Sequence, residues 1–358
     1  MKFLTLLFIS LFASMGASAQ LSNRVCEPGD SSIDKKVDSL YNELTSKERI
    51  AQMLFVAAGE YGRTTTEVEQ LARENKIGGI IYLGGTASEF KAIGSKVNAA
   101  NKGFVPLLYS LDAEPSLIKY KLRNVGAFAK TNTLKDSTAV VGAVTTIDSM
   151  LNDVEVTMNY APVCDLTPEN EVIGHRSFGK NEDTVVMLSQ HFINASLNDN
   201  ILPVIKHFPG HGNVVGDSHK KLVYIDGEMK ELETFKRLID AGAPSVMVGH
   251  IAIRNNDFAT EMPSSCSRLV VTQLLRDSMK FNGLIITDAL NMGGVAAIEN
   301  AGFKAMEAGC DVILMPLDID LVLNAALKKV KEDEVFALQL EFSVKRILRL
   351  KYAQELIH

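Results

Sequence analysis

The sequence predicts an α/β fold, a single (β/α)8 TIM-type barrel. Eight short apolar runs recur along the chain, at 53–57, 77–83, 105–111, 156–163, 201–208, 245–251, 284–290 and 311–315. Stretches of helical spacing separate most of them. Val68, Leu71 and Ala72 share one face, as do Leu232, Phe235, Leu238 and Ile239. Continuous apolar strands alternating with amphipathic helices describe a parallel sheet covered by helices. Polar residues also gather at the C-terminal ends of several runs, where a barrel builds its mouth. A doubly wound open sheet is the competing architecture. A dinucleotide-binding version of it would carry GxGxxG after the first strand, and none stands there.

The chain opens with Lys2, an apolar run over 3–12 and the small-residue site Ala17-Ser18-Ala19. This predicts a signal peptide over 1–19 and export to the periplasm or beyond. The run is too short to span a bilayer, and an uncleaved anchor is the alternative. No later segment is apolar enough to cross a membrane. Residues 20–35 are polar and read as a linker, leaving 36–358 as one barrel domain. Over 334–357, Phe336, Leu340, Val344, Ile347 and Leu348 keep helical spacing. That helix is expected on the barrel's outside or across its base.

The net charge is −6 and no long basic run appears, which argues against a nucleic-acid partner. Trp is absent, which counts against a purely lectin-like role. Export permits disulfides among Cys26, Cys164, Cys266 and Cys310, with the pairing open. Cys164 and Cys310 lie in or beside apolar runs, which favours buried free thiols. No CxxC spacing suggests zinc.

Asp112 and Glu114 end the third run, Asp165 the fourth, Lys206 and His207 the fifth, His250 the sixth and Asp288 the seventh. A charge at the end of a buried strand costs free energy unless paired or functional. Its recurrence on successive strands points to a site. His207 and His211 have a metal-ligand spacing for a helix, but Pro209 and Gly210 argue against a helix there, so no metal is expected. Asp217 and His219 are two apart, and on an extended segment they point the same way. The carboxylate then holds one imidazole nitrogen, favours the imidazolium and leaves the other nitrogen for proton transfer. A solvated turn is the alternative. Asp288 suits nucleophilic attack on an anomeric carbon, or else caps the next helix. Arg176 offers a planar fork of donors for sugar hydroxyls, whereas His175 reads as a loop residue.

The segments 106–114, Asn159-Tyr160-Ala161-Pro162-Val163-Cys164-Asp165, 173–179, Lys206-His207-Phe208-Pro209-Gly210-His211-Gly212 with Asp217-Ser218-His219, and 285–292 occur in that order. Together they resemble glycoside hydrolase family 3, in its β-N-acetylglucosaminidase branch. The resemblance covers about residues 50–315. It implies a one-domain retaining enzyme releasing N-acetylglucosamine from chitin-like or cell-wall saccharides, peptidoglycan fragments among them. It implies Asp288 as nucleophile and the Asp217–His219 pair as acid/base, on a loop that closes over substrate. It assigns Asp112, Arg176, Lys206 and His207 to the terminal sugar, with no metal or cofactor.

Two departures stand out. The branch continues its third strand as Asp-x-Glu-Gly-Gly-Arg, whereas here Pro115 and Ser116 replace the glycines and the arginine is missing. Proline fixes φ and removes a donor, so this loop takes another path. Ala289 also follows Asp288 where a second Asp is common. Other readings are another sugar specificity, phosphorolysis, a catalytically weak saccharide-binding homologue, or a lyase using Lys206 as a Schiff base.

Overall fold

The computed structural model describes residues 21, 25–103, 105–166, 172–214 and 216–357. The expected signal peptide lies outside them. All eight apolar runs contain strand. These are β1 (Leu54–Ala58), β2 (Gly79–Tyr82), β3 (Leu108–Leu111), β4 (Met158–Asn159), β5 (Leu202–Pro203) with β6 (Ile205–Phe208), β7 (Ser245–Val248), β8 (Leu284–Thr287) and β9 (Ile313–Leu314). The residues of β1, β2 and β3 are buried throughout, as expected for strands covered on both faces.

One sheet runs β9-β1-β2-β3-β4-β5 and a second runs β8-β7-β6. All their pairings are parallel. Parallel bridges join Val163 to Lys206 and Ile286 to Val312. Backbone bonds from Asp311 and Val312 to the Ile285 carbonyl, at 2.7 and 3.0 Å, support the second junction. The result is a curled parallel α/β sheet in which successive runs lie side by side.

Helices fill the connections, and three start on the same signal. Thr45 with Glu48, Thr64 with Glu67 and Thr86 with Glu89 form capping boxes. Each satisfies two backbone N–H groups at a helix start. The stretch 20–35 is not simply a linker. Leu21, Val25 and Cys26 are buried, and a helix begins at Ser31. Its polar composition is that of a helix start, for Asp30 accepts from the Ser32 and Ile33 N–H groups.

The last helix, Glu334–Ala353, buries Val344, Ile347 and Leu348. Its Lys351 is fully buried and donates to Gln52 Oε1 at 2.6 Å and the Gly78 carbonyl at 3.2 Å, beside the start of β2. Burial pulls this ammonium down to about 7. Cys26, Cys164, Cys266 and Cys310 are all buried free thiols. Burial pushes the Cys164 thiol up to about 12, which suppresses its reactivity. Among the described residues, no helix is long and apolar enough to cross a membrane.

Asp311 ties the base together. It is fully buried, accepts from the Ile285 N–H at 2.7 Å, and pairs with Arg276 and with Arg346 at 3.2 Å. Asp311→Ala strands the Arg276 cation away from water. Its expected cost is about 3–5 kcal/mol, read as a lowered urea midpoint. An unchanged midpoint would contradict this account.

Candidate active site

A cavity of about 360 Å³ opens at the C-terminal ends of the strands. Asp112, Arg176, Lys206, His207, His219 and Asp288 all line it. Asp217 stands behind His219. A larger hollow of about 490 Å³ beside Glu60, Arg63 and Arg123 contains none of these residues. Volume therefore does not choose the site; the gathering of strand-end charges does.

At one wall, Lys206 Nζ lies 2.6 Å from Asp112 Oδ1 and 2.7 Å from Glu114 Oε1. Arg176 grips Glu114 with two parallel bonds, Nε at 2.8 Å and Nη2 at 2.7 Å. Lys206 and Glu114 are only 2% and 1% exposed, so neither charge is solvated by water. Burial alone would push both carboxyl groups up. The surrounding Lys206, Arg176 and, for Asp112, Lys121 hold them below the usual carboxylate range instead. The fork of Arg176, expected to face sugar hydroxyls, is thus engaged by Glu114. Glu114 was read from sequence only as a strand-end charge, without a role, and Lys121 was not nominated at all. Lys121 Nζ approaches Asp112 Oδ2 to 3.5 Å and also lines the cavity.

The third loop, with Pro115 and Ser116, delivers Glu114 to Arg176. Ser116 Oγ donates to the His175 carbonyl at 2.7 Å and accepts from the Thr131 N–H at 2.8 Å. A short helix, Ile118–Lys121, follows and brings Lys121 to the mouth.

Asp165 is fully buried and organises the next segment. It accepts from His207 Nδ1 at 2.7 Å and from the His211 N–H at 2.8 Å. A carboxylate only accepts, so His207 carries its proton on Nδ1. His211 Nε2 lies 2.8 Å from Ser218 Oγ. Burial holds the His211 imidazole below the usual histidine range. Among the described residues, no group of three or more His, Cys, Asp or Glu side chains is placed to hold a metal ion.

The Asp217–His219 contact forms, by a different route from the one expected. The segment is a turn rather than an extended strand. Asp217 Oδ1 accepts both the His219 N–H at 2.9 Å and Nδ1 at 2.8 Å. The Asp side chain folds back on the backbone two residues on, as short carboxylates do in turns. The turn is held from the other side too. The Gly293 N–H donates to the His219 carbonyl at 2.8 Å and the Gly294 N–H to that of Ser218 at 2.9 Å. A Cβ on Gly293 would lie 2.4 Å from the Lys220 carbonyl oxygen, so only glycine fits.

Asp288 follows β8, and its N–H bonds the Val248 carbonyl at 2.9 Å. Its carboxylate accepts the Ala289 N–H at 2.8 Å. Burial opposes ionisation, but His207 foremost and the Ala289 N–H outweigh it and hold Asp288 below the usual range. Buried His250 donates from Nε2 to the Ala289 carbonyl at 3.0 Å and meets Ser265 Oγ at 2.8 Å. Burial lowers its basicity, so it is a neutral clamp on the backbone beside Asp288. Met247, Met292 and Met315 complete a thioether-rich wall.

The chain matches the family model "Glycosyl hydrolase family 3 N terminal domain" over residues 45–350. A β-hexosaminidase of Actinobacillus pleuropneumoniae is 35% identical over 170 residues, 45% of this chain and 48% of that relative. The match thus spans about half of that relative's length. A family 3 β-N-acetylglucosaminidase structure from a Paenibacillus strain superposes with TM-score 0.79 at 26% identity, covering 87% of this chain and 63% of the other. A β-glucoside phosphorylase, BglX bound to 2FGlc, superposes at 0.82 with 21% identity, covering 92% and 62%. That second likeness is one of fold.

Asp112, Glu114 and Asp165 all ionise more readily folded than unfolded. As pH falls, the unfolded chain takes up their protons first. Their stabilisation is complete above about pH 5 and is lost as pH falls through about 4 and below. Urea midpoints should therefore fall between about pH 5 and pH 3. Glu114→Gln should cost roughly 3 kcal/mol at neutral pH and flatten that fall. A variant with the wild-type acid profile would contradict the assignment.

Proposed function

The chain belongs to glycosyl hydrolase family 3, and on that premise we propose that it is a retaining glycoside hydrolase releasing terminal β-linked N-acetylglucosamine. The observation that carries this reading is the meeting of Asp288 and His219 in one cavity, with the Asp112–Lys206 pair on its wall. In this reading the eight runs form one closed (β/α)8 barrel, which the two bridges between the sheets support.

Asp288 attacks the anomeric carbon as His219 Nε2 protonates the departing oxygen, giving a glycosyl ester on Asp288. Water then attacks that carbon and gives its proton to His219, which frees Asp288. Asp217 holds Nδ1, fixing the ring so that Nε2 performs both transfers. Asp112, Lys206 and His207 bind hydroxyls of the terminal sugar. Arg176 lines the same subsite while its fork fixes Glu114. No cofactor enters this scheme.

The β-hexosaminidase and β-N-acetylglucosaminidase relatives support the acetamido sugar. Export by the leader over 1–19 would place the enzyme among cell-wall-derived or chitin-like saccharides. A second reading is phosphorolysis. A histidine acid/base does not repel an anionic nucleophile as a carboxylate would, and Lys121 and Lys206 line the cavity. Identical rates and products with and without phosphate would dismiss it.

Residues 20–358 should hydrolyse an aryl β-N-acetylglucosaminide and spare the matching β-glucoside. Asp288→Ala should lose activity on the order of a thousandfold or more. His219→Ala should lose about a hundredfold or more on substrates with poor leaving groups. Undiminished turnover by Asp288→Ala would overturn the proposal.

A further inference from the structure

Glu231 is a carboxylate with no assigned role in the chemistry, yet it is only 3% exposed. It stands at the N-cap of the helix Leu232–Asp240 but makes no side-chain cap bond there. Its side chain points instead at two strand-end loops. Oε1 accepts from the Leu166 N–H, just past Asp165. Both carboxyl oxygens also accept from the Gly212 N–H at 3.1 Å.

The fit leaves no room for side chains on the loop. A Cβ at Gly210 would lie 2.3 Å from Glu231 Oε2, and one at Gly212 would lie 2.4 Å from Oε1. Glycines here thus allow the backbone to close around the carboxylate. Between them stands His211. Its N–H is fixed by Asp165 at 2.8 Å, and its Nε2 meets Ser218 Oγ at 2.8 Å. Ser218 is the residue between Asp217 and His219.

We infer that Glu231 is a positioning residue for proton transfer, anchoring the 210–212 turn through which His211 and Ser218 set the place of the Asp217–His219 pair. Glu231 touches neither partner of that pair. It acts through the backbone, by making one arrangement of the turn the best-bonded one. The inference rests on His219 being the acid/base. Burial and the nearby Asp165 charge push the Glu231 carboxyl up to about 8, against the backbone N–H groups of Leu166 and Gly212.

The test uses two substrates of one sugar that differ in leaving group. A dinitrophenyl glycoside leaves without protonation, whereas an alkyl glycoside needs the acid. The readout is kcat/KM, which covers the steps up to the covalent intermediate. Glu231→Ala should lose about thirtyfold or more on the alkyl glycoside and less than about threefold on the dinitrophenyl one. Glu231→Gln should fall between, because one carbonyl oxygen still accepts from Leu166 and Gly212. It also carries the test if the alanine variant does not fold. His219→Ala runs alongside. If it shows the selective loss and both Glu231 variants lose equally on the two substrates, Glu231 is merely structural and the inference is overturned. If His219→Ala itself lacks the selectivity, the acid/base reading falls and this inference falls with it.

Discussion

Asp112 and Glu114 share one largely buried wall with Lys206 and Arg176, and the mouth of the sheet is arranged around keeping these charges paired. Asp112 and Glu114 follow β3, Lys206 lies on β6 and Arg176 comes from the loop after β4. Buried charges of this kind stabilise little as a set, but each is costly to abandon. The group therefore acts as a register key. Any shift of one strand end leaves a charge without its partner. The altered loop at Pro115 and Ser116 illustrates the constraint. Ser116 docks on His175 and Thr131, and Glu114 meets Arg176.

Around that wall, polar groups hold backbone as often as they face the cavity. Asp165 fixes His207 and the turn at His211. Neutral His250 fixes the carbonyl beside Asp288. Such groups give a loop-built site the rigidity that strands alone do not supply. Asp288 is held ionised because its neighbours outweigh its burial.

Much of this was legible in the residues. The eight runs stood out because strands covered on both faces must be apolar throughout. The nominated residues were legible because charge at a buried strand end needs a reason. Other features were masked by ordinary local chemistry. Asp30, Ser31 and Ser32 looked like linker because helix starts are polar. Glu231 carries no sequence signal beyond an acid at a helix start, and only the fold turns it towards Gly212. Lys351 continues the stripe of Val344, Ile347 and Leu348, and its burial depends on what packs beneath β2. Lys121 ends a short helix in a segment without the branch's pattern, so spacing alone could not bring it to Asp112. The two-strand pairings Gly85–Thr86 with Leu122–Arg123 and Val223–Asp226 with Ile251–Arg254 were equally hidden, being too short or too mixed to show a period.

The thioethers of Met247, Met292 and Met315 give the pocket a soft and polarisable side. Such a wall adjusts to ligands of slightly different shape at little cost, because an unbranched side chain rotates easily. It also brings an oxidisable group to the pocket. The four thiols are buried, and Cys26, Cys164 and Cys266 carry raised thiol pKa values, so they are poor targets. Met315 is only partly covered, and a sulfoxide there would put a polar, stereogenic group where a thioether now lies. Peroxide would therefore reach exposed Met187 on the surface and Met315 in the pocket before the buried thiols.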